Sequence, residues 1–279
     1  MISQVFTTSI GGDPELVLET HHMHLEAPNW TRDSRALVLN GDGVLWRFDL
    51  GSHDLDRIPI SGVPELNNDH VLDIDGEHAF VSANDGHIYR APLAGGRAER
   101  VTNETGRQQF LHGVSHDGST LAYVGLEPGD GDVRGQANIF TIPAQGGPDH
   151  QVTFGTAPAD GCEFSPDDEW IYFNTEAFSP GQAQIARIPV NGGEPEQLTF
   201  DERVNWFPHL SPDGTAAVYL SYPLGTTGHP GGRDVELCVV ADDWSEPVRR
   251  LPLWGGQGTI NVPSWSPTGD RFAYVAYQP

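Results

Sequence analysis

One phrase recurs six times along this chain, and it limits the fold more than any other feature. It consists of an apolar residue, a short Ser-Pro-Asp-Gly-like turn and then an alternating apolar stretch. The copies are Trp30-Thr-Arg-Asp-Ser34, Leu72-Asp-Ile-Asp-Gly76, Val114-Ser-His-Asp-Gly118, Phe164-Ser-Pro-Asp-Asp168, Leu210-Ser-Pro-Asp-Gly214 and Trp265-Ser-Pro-Thr-Gly269. From Asp33 to Asp75, Asp117, Asp167, Asp213 and Thr268 the spacings are 42, 42, 50, 46 and 55 residues. After each turn a strand such as Ala122-Tyr-Val124 leads through a loop to another, such as Ile139-Phe-Thr-Ile142. A Gly-Gly turn (Gly95-Gly96, Gly146-Gly147, Gly192-Gly193) and a short edge strand ending in Val-Thr or Leu-Thr follow. Four strands per repeat of about 40–50 residues is the period of a propeller blade, and no stretch keeps a helical period.

The sixth copy ends at Tyr277 after two strands, and Val5-Phe-Thr-Thr-Ser-Ile-Gly-Gly12 parallels Ile139-Phe-Thr-Ile-Pro-Ala-Gln-Gly-Gly147. The expectation is an all-β, six-bladed β-propeller with four-stranded blades, forming one domain over residues 1–279. Residues 1–20 would complete the C-terminal blade. Deleting such closing strands should open the ring and expose two sheet edges.

Charge and composition exclude several function classes. Asp and Glu number 39 against 15 basic residues, a net charge of −24, and every basic residue is Arg. So acidic a surface repels a phosphate backbone or anionic lipid, so neither a nucleic-acid nor a membrane partner is expected. The missing Lys excludes a Schiff-base enzyme and a P-loop. No run approaches the eighteen or so apolar residues of a membrane span. Cys162 and Cys238 alone make neither a disulfide framework nor a zinc spacing and read as small buried hydrophobes. The opening Met-Ile-Ser-Gln-Val-Phe lacks the pattern of a signal peptide, so a cytoplasmic location is expected, or a periplasmic one after trimming. No Gly-x-Ser-x-Gly occurs. Gly129-Asp-Gly-Asp132 and Asn40-Gly-Asp-Gly43 are polar turns rather than full Ca²⁺ loops.

Chemistry is expected at one mouth of the central channel, in the loops leading into the innermost strands. Those loops hold His21, His22 and His24, then Asp69 and His70, His112, Asp160 and Glu163, Asn205, Trp206 and His209, and Gln257 and Asn261. His229 lies in the long blade-five loop on the same face. Two residues before each turn stand Asn29, Val71, Gly113, Glu163, His209 and Ser264, beside the uniformly apolar column Trp30, Leu72, Val114, Phe164, Leu210 and Trp265. Strand alternation turns the mixed column toward the channel. His24, His112 and His209 are candidate ligands for one divalent ion, manganese, calcium or zinc, because neutral imidazoles suit such metals. Alternatively His112, Glu163 and His209 act as acid and base toward a substrate stacked on Trp206. Arg203 and Arg233 are candidates to clamp a carboxylate. The bland alternative is a set of satisfied loop histidines. Replacing His209 by Ala is expected to leave the fold intact.

The Phe164-Ser-Pro-Asp and Leu210-Ser-Pro-Asp-Gly214 copies, with the Tyr/Phe strands after them, resemble the repeats of TolB-type, WD40-like propellers over essentially the whole chain. That resemblance implies the fold and leaves enzyme and binding module both open. His112 before a blade turn and Trp206-Phe-Pro-His209 before Ser-Pro-Asp are also similar to oligogalacturonate lyase propellers, which implies a His-rich metal site and an acidic sugar substrate. In the last blade, however, Asn261-Val-Pro-Ser264 stands where those enzymes carry a His-rich segment. The resulting expectation is a carbohydrate-active enzyme, a metal-assisted lyase or hydrolase acting on a saccharide or other small molecule. The alternative is a non-catalytic TolB-like module with a protein partner.

Overall fold

The computed structural model describes residues 1–130 and 135–278, and among them every regular element is a β-strand. Gly131 and Asp132 of the Gly129–Asp132 turn lie outside the described residues. Five sheets have four antiparallel strands each, in chain order except that blade two skips Gly96–Arg97, which pairs in parallel with Ile60–Ser61. Their first strands are Leu25–Trp30, Leu66–Leu72, Gln108–Val114, Ala159–Phe164 and Val204–Leu210. These pack against one another from blade to blade and so surround the channel. Blades two to four end in two-residue strands, Glu99–Arg100, His150–Gln151 and Glu196–Gln197, which keeps their free edges short.

The sixth blade is closed by the N-terminus, as the repeat arithmetic anticipates. Phe272–Gln278 pairs along seven residues with Ile2–Thr8, which pairs in turn with Glu15–Thr20. The innermost segment of this blade keeps only a bridge between Trp265 and Phe272. The Arg271 guanidinium fastens the junction by donating to Thr7 Oγ1 and Glu15 Oε2, both at 2.7 Å.

The recurring phrase has a local cause. In three copies the Ser hydroxyl donates to the Asp two residues on, at 2.7 Å for Ser115–Asp117 and 2.6 Å for Ser211–Asp213, with Ser165–Asp167 alike. The same hydroxyl accepts the backbone N–H five residues after it, closing the turn. In the sixth copy, where Thr268 replaces Asp, Asp270 takes the Ser266 hydroxyl at 2.8 Å.

Six apolar clusters hold the ring, one at each contact between neighbouring blades. Cys162 belongs to the cluster between blades three and four and Cys238 to the one between blades four and five. Burial pushes both thiols up, which makes them inert packing residues.

Candidate functional site

His229, Gln257 and Asn261 lie in loops, whereas Asp69, His112, Asp160 and Phe207 lie within the innermost strands rather than in the loops before them, a correction to the sequence reading. What presents them is a β-bulge. In all five regular innermost strands the pairing register shifts at the channel, between Glu26 and Asn29, Leu66 and His70, Leu111 and Gly113, Asp160 and Glu163, and Trp206 and His209. A bulge inserts an extra residue and re-aims the side chains beside it. Three bulges carry a left-handed residue: Ala27 (φ 54°), Gly161 (φ 62°) and Phe207 (φ 54°). Phe207 is bulky for that region, and its backbone N–H is held by Asn174 Oδ1 at 3.1 Å. Gly161 has no substitute, since a Cβ there would meet Asn174 Oδ1 at 2.7 Å and Phe207 Cδ1 at 3.0 Å.

These bulges shape a cavity of about 220 Å³ at the channel mouth, lined by Asp69, His112, Asp160, Phe207, His229, Gln257 and Asn261 among others. At bulk density that is room for about seven waters. His112 is its centre: Nδ1 donates to the Asn261 carbonyl at 3.1 Å and Nε2 lies 3.2 Å from Asp160 Oδ1. Burial opposes charge on this imidazole, but the Asp69 charge and the Asp160 hydrogen bond and charge outweigh it, pushing its pKa up to about 9. Asp160 answers in the opposite sense: burial raises it, yet the His112 hydrogen bond and charge hold it below the usual carboxylate value. Burial pushes Asp69 up to about 6. Asp69 Oδ2 accepts from Asn67 at 2.8 Å, while its buried Oδ1 has no hydrogen-bond partner among the described residues.

A polar chain continues around the rim. His229 Nε2 is 3.8 Å from Asp160 Oδ2, and its Nδ1 bonds Gln257 Oε1. Gln257 donates to Asn68 Oδ1 at 3.1 Å, Asn68 donates to Glu26 Oε1 at 3.1 Å, and His24 Nε2 lies 3.4 Å from that same oxygen.

Several candidates sit elsewhere. Glu163 and His209 do meet, but as a fastener below the cavity. His209 Nδ1 is 2.6 Å from Glu163 Oε2, its Nε2 donates to the Ile260 carbonyl, and Glu163 Oε1 accepts the Leu210 N–H at 2.9 Å. With the Trp265 indole donating to the His209 carbonyl at 2.9 Å, this joins blades four, five and six. Trp206 and Phe207 are both buried, but Trp206 is covered by His229 at 4.4 Å between ring centroids and does not line the cavity, whereas Phe207 does. His70 is fully buried against Asn40 of blade one. Asn205 hydrogen-bonds Asp201 between blades four and five, and Arg203 is spent on Ser221, 2.8 Å from its hydroxyl. Arg233 is exposed and bonds the Gly232 carbonyl, and His21 and His22 are exposed. Neither Arg lines the cavity. His24, His112 and His209 do not converge, because each is tied to its own carboxylate.

Sequence reasoning missed Asn67, Asn68, Phe110 and Phe207 as lining residues. The run Asn67-Asn68-Asp69-His70 inside an otherwise apolar strand was the available signal.

Comparison with known proteins agrees with this architecture. The family described as the Tricorn protease N-terminal beta propeller domain matches residues 70–278. The uncharacterized protein Atu1656 of Agrobacterium fabrum is 36% identical over 260 residues, covering 91% of this chain and 85% of that protein. A structure from Agrobacterium tumefaciens named for TolB superposes with a TM-score of 0.92 at 34% identity, covering 100% of this chain and 99% of the other. An oligogalacturonate lyase in complex with manganese shares the fold at a TM-score of 0.61 and 14% identity, covering 90% of this chain and 72% of the other.

Proposed function

The chain belongs to the Tricorn protease N-terminal beta propeller family, and on that premise we propose that its channel mouth binds a single-saccharide-sized ligand and uses His112 as proton donor toward it. The observation that carries this reading is the buried Asp69–His112–Asp160 group opening on a small cavity. Its members are pushed to opposite protonation preferences, the arrangement that separates acid from base. The Asn261 carbonyl engages Nδ1 and Asp160 lies 3.2 Å from Nε2, so the proton a leaving oxygen takes is the Nε2 one, drawn away from its contact with Asp160. Hydrolysis and elimination at a saccharide both need that proton.

A resident divalent metal fits these residues poorly. Asp73, Asp75 and His78 bring three donors within 4.8 Å of one another, but Arg90 Nε lies 2.8 Å from Asp73 Oδ2 and its NH2 group bonds Asp75. A guanidinium thus takes the place of a cation. In the channel, His112 has both ring nitrogens engaged. No step is therefore assigned to a metal, although a lyase of the same fold is in complex with manganese.

Calorimetry and product analysis with a panel of monosaccharides and short glycosides test the reading. Binding is expected in the wild type, with turnover falling about 10²–10⁴-fold in His112→Gln. A folded wild-type protein that neither binds nor cleaves any member overturns it. A second reading, a module that holds a protein, is favoured by Phe154 and Phe200. They are 77% and 76% exposed at equivalent places after the outer strands of blades three and four.

A further inference from the structure

Resting on that reading of the channel mouth, we propose that its ligand carries a positively charged amino group, as an aminated monosaccharide does, and that Asp69 receives it. The argument begins with charge. Two carboxylates, Asp69 and Asp160, face the cavity with two imidazoles, His112 and His229, of which His112 is pushed toward its charged form, and no Arg lines it. Asp160 is answered by the His112 Nε2 at 3.2 Å and by the Gly161 N–H at 2.7 Å. Asp69 has only the Asn67 amide on Oδ2, and its Oδ1 is buried with no hydrogen-bond partner among the described residues. A buried carboxylate oxygen left without a donor is costly; an ammonium lodged beside the Asp69 carboxylate supplies the missing charge, and a turn of the carboxylate brings the closed-off Oδ1 to it as acceptor.

The surroundings favour the same class. Phe110 and Phe207 turn aromatic surface to the cavity, which suits a cation held beside a ring. Phe207 keeps a left-handed backbone in doing so, a conformation a bulky residue holds only where the surroundings impose it. Burial has already pushed Asp69 up to about 6, which measures how poorly its charge is compensated when the cavity holds no cation. An acidic sugar would meet two carboxylates and no guanidinium, since Arg203 is held at Ser221 and Arg233 beside Gly232.

The test is titration calorimetry at neutral pH with galactosamine, galactose and galacturonate, which differ in charge and little in size. Galactosamine is expected to bind about tenfold or more tightly than galactose, the worth of one charge-assisted hydrogen bond, with galacturonate weakest. In Asp69→Asn the galactosamine-to-galactose ratio is expected to fall toward one. The wild-type ranking decides the matter by itself if that variant does not fold. Equal affinities, or galacturonate binding best, would overturn the amino-group assignment while leaving a saccharide site standing. Binding of none of the three removes both. Displacement of galactosamine by manganese chloride alone would give the unmatched charge to a metal ion and overturn the proposal.

Discussion

Burial alone strips charge from a histidine, as it does at His70, whose pKa is pushed down to about 4. His112 is as deeply buried and shifts the other way because two carboxylates face it. The two rings therefore give opposite pH signatures. A raised folded-state value means that His112 contributes stability in full below the unfolded value near 6.5, and that this contribution is lost as pH rises through about 9. His70, with a lowered value, contributes above about 6.5 and loses its contribution as pH falls through about 4. Thermal melts from pH 6 to 10 are expected to decline more steeply in the wild type than in His112→Gln; parallel curves would contradict the assignment. His209 differs from both. Because it ties three blades together, His209→Ala is expected to destabilise the ring rather than leave it intact. Its partner allows a cleaner experiment. Glu163→Ala leaves a buried imidazole and the Leu210 N–H unanswered, a loss of about 3–5 kcal/mol in denaturant unfolding. Glu163→Gln keeps an acceptor for Leu210 and offers an N–H to Nδ1, so it should cost far less.

The bulged innermost strand is the element that turns a repeat into a site. Gly161→Ala forces a Cβ into a left-handed position and against Asn174 and Phe207. It is expected to cost more than about 1 kcal/mol and to weaken ligand binding, because Phe207 must move; unchanged binding would detach the bulge from the cavity. The same element explains what could be read in advance. Six copies of one turn, three of them locked by a Ser–Asp pair, one by Thr31 and Asp33 and one by Ser266 and Asp270, revealed the blades, their spacing and the N-terminal closure. Of the uniformly apolar column, Trp30, Phe164 and Trp265 are buried, while Leu72, Val114 and Leu210 are half-buried against the clusters between blades. The site was legible only in part. Strict alternation predicts a single channel-facing column, and Glu163 and His209 do share it. A bulge breaks that alternation, so Asp69, His112, Asp160 and Phe207 reach one cavity from three successive columns. Where each bulge falls depends on backbone angles such as that of Phe207, which no pattern of residue types encodes.

At the scale of the whole molecule, stability rests on six blade contacts, and residues 2–8 complete the last blade beside residues 272–278 and add Val5 to the cluster between blades six and one. A chain beginning at residue 21 loses two of the strands of its last blade. It is expected to be insoluble or to melt without cooperativity, and a soluble, sharply melting 21–279 chain would show that the closure is dispensable. That pairing joins Ile2 to Gln278, in strands far apart along the sequence. A ribosome makes the first partner long before the second. At about 5–20 residues per second, roughly a quarter of a minute to a minute separates them. Through that interval the nascent chain carries Ile2–Thr8 as a strand awaiting its mate, so the ring closes only after Phe272–Gln278 has been made.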